Sequence, residues 1–176
     1  MTNAVGGHRP NTSIELEHAE IHEGEHYFAS DCVEDLGVVA SKIWRITTPN
    51  TDNRIHLTFT VTTSDSNGLL EFYENPTLLA AGTGMTEFNN DRNSANVATA
   101  TTFFDTTTQA PNNDGTLLWC IVVGSARRNG GSVERTKEII LKQNEDYIVK
   151  FTPAAVNSKC AVLFEWYEMN KRWQVK

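Results

Sequence analysis

At 176 residues and 19.6 kDa, with 39% hydrophobic and 21% charged residues, the chain has the composition of one globular domain, which argues against a disordered, collagenous or two-domain architecture. A net charge of −7 and a pI near 5.2 argue against nucleic-acid binding, whose affinity rests on Lys and Arg neutralising phosphates. No apolar run approaches the ~18–20 residues of a membrane span, and the opening MTNAVGGHRPNTS lacks the basic-then-apolar order of a secretory signal. Neither nucleic acid nor a membrane is therefore expected as a partner, and synthesis and retention in a cytoplasm are expected.

Taken in order, residues 1–13, with Gly6-Gly7 and Pro10, read as a flexible arm. A single domain follows over residues 14–169, and residues 170–176 form a polar tail that carries Trp173. Ile14 to Ile21 alternates like a strand, and Lys42 to Thr47 reads as the next one. From Ile55 the pattern is explicit: Ile55, Leu57, Phe59 and Val61 point one way while His56, Thr58, Thr60 and Thr62 point the other, the period-two signature of a strand with one wet face. Further strands are expected at Leu69 to Tyr73, Val97 to Phe104, Thr116 to Val123, Val133 to Leu141, Tyr147 to Thr152 and Cys160 to Tyr167, about nine in all. Helix is expected only as a short turn near Pro76 to Ala81. The separators, among them Thr48-Pro49-Asn50, Ser66-Asn67-Gly68, Asn75-Pro76, Asn112-Asn113-Asp114-Gly115 and Gln143-Asn144-Glu145-Asp146, supply turn formers or positive-φ residues. Many short strands so punctuated predict an all-β sandwich or barrel. The almost unbroken apolar run Thr116 to Val123 suits a central strand covered on both faces, or a strand at a subunit contact. Cys32, Cys120 and Cys160 are widely spaced with no CxxC pair, and read as reduced, with Cys120 and Cys160 buried in strands.

The sharpest chemical motif is His22-Glu23-Gly24-Glu25-His26, which matches the H-E-x-x-H pattern of zinc proteases. That chemistry needs both imidazoles on one helical face, whereas Gly24 disfavours a helix interior and the residues before it alternate as a strand. On a strand, His18, Glu20 and His22 would share one face, so these three and His26 are the candidate metal ligands, in a donor set suited to zinc or nickel; the plainer reading is a solvated face. Cys32 lies among acids that would dull its thiolate. Gly82-Thr83-Gly84 has no phosphate-loop spacing, and no carboxylate pair is singled out. No catalytic residue and no cofactor is assigned, and the chain is expected not to be an enzyme. The basic segment Ser125 to Gly131 holds Arg127 and Arg128, which could meet an acidic surface or form a solvated hairpin tip. Trp44, Trp119, Phe164, Trp166 and Tyr167 read as core or interface, with Phe164 and Trp166 on the same side of the last strand.

The run Leu16 to Tyr27, Ile46-Thr47-Thr48-Pro49-Asn50-Thr51, Leu70-Glu71-Phe72-Tyr73-Glu74, Phe88 to Ser94, Asp114 to Leu118, Gly130-Gly131-Ser132, Ile140 to Asn144 and Phe164 to Glu168 resembles a group of small virion proteins of tailed bacteriophages. Members of this group look like capsid decoration, or cement, proteins. The resemblance implies a jelly-roll-like β-sandwich of about eight to nine antiparallel strands, often trimeric, on the outside of the head, made in the host bacterial cytoplasm. It implies the major capsid protein and a second copy of the chain as partners, and head stabilisation as the role. Thr2, Asn3, His8, Arg9, Asn11 and Thr12 of the arm, with Arg127 and Arg128, are the candidate capsid or subunit contacts. The alternative reading is a carbohydrate- or receptor-binding domain of a head fibre or tail.

Overall fold

A computed structural model describes residues 16–36, 41–64, 67–109, 113–124 and 131–170. In chain order they form α1 (Leu16–Glu23), β1 (His26–Val33), β2 (Lys42–Thr47), β3 (Asn53–Ser64), β4 (Gly68–Glu74), β5 (Leu78–Ala80), β6 (Thr83–Gly84), β7 (Phe88–Asn89), β8 (Thr101–Phe104), β9 (Thr107–Thr108), β10 (Thr116–Val123), β11 (Gly131–Ile140), β12 (Asp146–Pro153) and β13 (Lys159–Asn170). The protein is all-β, and every described strand pairing is antiparallel. The described strands outnumber the expected nine: Ile14 to Ile21 does not supply one, β1 was not expected, and four more, β5, β6, β7 and β9, are only two or three residues long. Such fragments are too short to carry a legible alternation.

The eight long strands pair in a nested way. β1 pairs with β13, β2 with β12, β3 with β11 and β4 with β10, as though one long hairpin had been folded over on itself. The result is two sheets, ordered β11-β3-β13-β1-β7 and β10-β4-β12-β2-β8-β6, with β5 and β9 forming a separate two-stranded ribbon. The chain between β4 and β10 supplies the small strands. They extend one side of both sheets, β7 adding to β1 and β8 with β6 adding to β2, while on the opposite side β10 and β11 end their sheets.

The sheets meet across one core. Ile55, Leu57, Phe59 and Val61 of β3 are all at most 1% exposed, as their alternation predicts, and face Leu70, Phe72, Val149 and Phe151 of the other sheet. The Phe59 and Phe72 rings lie 5.3 Å apart. Trp44, Phe164 and Trp166 are fully buried, so these aromatics belong to the core. On the outer side His56 is less wet than its neighbouring threonines, because its ring stacks 4.5 Å from that of Tyr167. Between the sheets Lys42 lies 3.2 Å from Asp31 and 2.6 Å from Asp105, and the Trp44 indole N–H donates to Asp31 at 2.7 Å. This network ties β1 of one sheet to β2 of the other with its buried charge paired.

Three sequence expectations are corrected. Of the strand expected over Ile14 to Ile21, the described residues are helical instead, from Leu16 to Glu23. Ala, Leu and Glu favour helix, and a segment of eight residues is too short for period 2 to be told from period 3.6. The short turn near Pro76 to Ala81 is instead strand β5, held against β9. The strand expected from Val97 starts only at Thr101, and Val97 is 80% exposed. No helix among the described residues is long and apolar enough to cross a membrane.

Candidate functional site

Two surfaces hold the residues with functional potential. The first is the edge formed by β10. Thr116 to Val123 carries no charge and no proline, and Leu117, Leu118, Ile121 and Val122 stand exposed along it. A register shift between Leu117 and Trp119 leaves Leu118 without a partner on β4, and Val122 lies opposite the exposed Leu69. Trp119 turns inward, its ring 6.0 Å from that of Phe59 and covered by the Arg135 guanidinium. The apolar run is therefore not a central strand. Cys120, expected to be buried, is exposed on this edge, whereas Cys160 is buried in the core and burial pushes its thiol up to about 12.

Among the described residues β10 and β11 have no further strand beside them, and these two edges differ in kind. β11 alternates Glu134, Arg135, Lys137 and Glu138, the charge that discourages edge-to-edge association. β10 has no such protection. An exposed apolar edge normally marks an interaction surface.

The second surface is the corner where α1 gives way to β1. Gly24, at φ 74°, ends the helix: its N–H donates to the Ile21 carbonyl at 3.1 Å and the Glu25 N–H to the Glu20 carbonyl at 2.9 Å, the paired bonds of a Schellman cap. A Cβ at this position would lie 2.4 Å from the Ser94 Oγ. Gly24 is thus a helix stop, not the interior breaker that its place in the motif suggested. Asn89 donates its amide N–H to the Gly24 carbonyl at 2.7 Å, and Asn96 does so at 3.3 Å. Below them Glu168, 3% exposed, accepts from the Thr99 N–H at 2.8 Å, the Ala100 N–H at 3.1 Å, the Trp166 indole N–H at 3.1 Å and the Thr99 hydroxyl. One carboxylate thereby fastens the chain after β7 to the last strand.

The candidate ligands separate on this corner. His18 and His22, four residues apart on α1, share a helical face, while Glu20 turns away and is buried. Burial, then Glu23 and Glu25, raises the Glu20 carboxyl above its ordinary range; burial, then Glu168 and Glu23, does the same for Glu25. His26 lies in β1, where its Nδ1 is 2.5 Å from the Asn90 side-chain amide. His22 and His26 accordingly sit on different elements, and the expected strand face of His18, Glu20 and His22 does not exist. Among the described residues no group of three or more His, Cys, Asp and Glu is placed to hold a metal ion.

Thr2, Asn3, His8, Arg9, Asn11, Thr12, Arg127 and Arg128 lie outside the described residues. Sequence reasoning missed the Glu168 latch, whose only local signal was a carboxylate directly after Trp166-Tyr167, inside β13. No protein family, curated protein or solved structure matches the chain.

Proposed function

We propose that the chain is a non-enzymatic structural protein of a tailed-bacteriophage virion: a capsid decoration, or cement, protein that associates as a homotrimer and binds the major capsid protein on the outside of the head. The observation that carries this reading is the bare, uncharged β10 edge, on the side of the fold that the inserted strands leave uncapped. A second copy is its natural occupant. In a chain of net charge −7, this edge is where another copy can approach without placing like charges together.

The finer fold proposed is a jelly roll. Its support is the nested pairing of β1 with β13 through to β4 with β10, an arrangement of eight strands in two facing sheets that recurs in capsid proteins. The α1 corner, pinned by Asn89, Asn96 and Glu168, follows in sequence the residues 1–13 proposed as the capsid-binding arm. A sugar-binding platform needs exposed aromatic rings; Trp44 and Trp166 are in the core, and Phe88 is the one Phe, Tyr or Trp exposed among the described residues, at 39%. Repeated over a lattice, modest contacts of this kind stabilise the shell by mass action.

Thiol labelling tests the interface. In dilute protein Cys32 and Cys120 are expected to react with a thiol reagent, and Cys160 only on unfolding. On concentration Cys120 is expected to slow about tenfold relative to Cys32 as copies cover β10. Equal rates for Cys32 and Cys120 at every concentration would remove β10 from the interface.

A further inference from the structure

The exposed side of α1 brings two imidazoles together. The Nε2 atoms of His18 and His22 lie 3.0 Å apart, with ring centroids 4.7 Å apart and ring planes at 69°. Two imidazole nitrogens bound to one ion at about 2.0–2.1 Å are separated by about 2.8–3.0 Å in adjacent positions of an octahedral shell and by about 3.3–3.4 Å in a tetrahedral one. As neutral rings the pair can share one Nε2–H in a hydrogen bond. When both rings carry their proton on Nδ1, both Nε2 lone pairs become available to one ion.

We propose that His18 and His22 form a two-imidazole site for a late first-row divalent transition ion, Cu²⁺, Ni²⁺ or Zn²⁺, with water completing the shell. The chemistry of the donors selects this class, because neutral imidazole suits these ions and the hard, oxygen-seeking Mg²⁺ and Ca²⁺ do not favour it. Glu20 takes no part, being turned to the buried side of the helix. Affinity follows the general order for nitrogen donors, Cu²⁺ above Ni²⁺ and Zn²⁺. The ion would bridge one turn of an eight-residue helix, shorter than an isolated helix needs for stability in water, and so stiffen α1. The site stands independently of the virion role.

Calorimetric titration of the full chain with Ni²⁺ and with Zn²⁺ at neutral pH tests this, using His18→Gln, His22→Gln and, as a control in the arm, His8→Gln. Both helical positions are exposed, so the variants are expected to fold, which circular dichroism checks. The expected result is one binding site in the wild type, a rise in Tm on loading, and a loss of at least about tenfold in affinity in each helical variant, with His8→Gln unchanged. Absence of binding up to about 1 mM metal, or wild-type affinity in His18→Gln and His22→Gln, would overturn the proposal. Loss confined to His8→Gln would do the same.

Discussion

Val122→Glu in β10 is expected to leave the domain folded and to abolish self-association. Val122 is 63% exposed in the single chain, so a glutamate there stays in water and costs the fold little, within about 0.5 kcal/mol. In the proposed assembly the same position is covered by another copy, beside Leu69, Leu117, Leu118 and Ile121. An unpaired carboxylate in that apolar contact must be desolvated or must hold the copies apart, at a cost of about 2–5 kcal/mol at each interface. A ring of three copies uses the contact three times, so the penalty recurs around the ring. Light scattering is expected to give three times the 19.6 kDa chain mass for the wild type and a single chain mass for the variant. Glu134→Gln on the charged β11 edge is expected to behave as wild type. An unchanged mass for Val122→Glu would place the interface elsewhere.

Glu168→Ala is expected to have the largest effect on stability, a loss of about 2–5 kcal/mol, at about 1–3 kcal/mol for each buried donor left unsatisfied. The substitution leaves the buried Ala100 backbone N–H and Trp166 indole N–H, and the part-buried Thr99 N–H, without the acceptor they share. Buried donors stripped of their partner cost more than the bond itself contributed, since they then bear their full desolvation penalty. Glu168→Gln keeps a carbonyl oxygen in position and is expected to recover a good part of the loss. Thermal unfolding gives the size of the effect. Amide exchange gives its place, with protection lost first between residues 88 and 100 and at the α1 corner. Equal destabilisation by Ala and Gln, with no local change in exchange, would contradict the latch.

The sequence expectations succeeded where local pattern and long-range structure agree. β2 and β10 have the bounds that their residues suggested, and the inward row of β3 follows from its alternation with threonine. They failed where the same residues serve two structures. Leu16 to Glu23 is compatible with strand and helix alike, and the deciding signal was Gly24, which reads as a breaker inside the metalloprotease motif but as a stop one residue past a helix. The apolar run of β10 suits a covered central strand as well as a contact edge. Only its pairing with β4 on one side, and with nothing described on the other, separates the two. Glu168 and Thr99 are 69 residues apart, so their contact depends on a topology that no local pattern encodes. The metal candidates divided for the same reason: once α1 is a helix, His18 joins His22 and loses Glu20.

The central claim is that this chain decorates a capsid lattice, and its copy number in purified virions tests that claim most directly. Quantitative mass spectrometry against the major capsid protein is expected to give on the order of one copy per capsid chain, because lattice occupancy is what multiplies weak contacts into head stability. A few copies per particle, or none, would contradict the account.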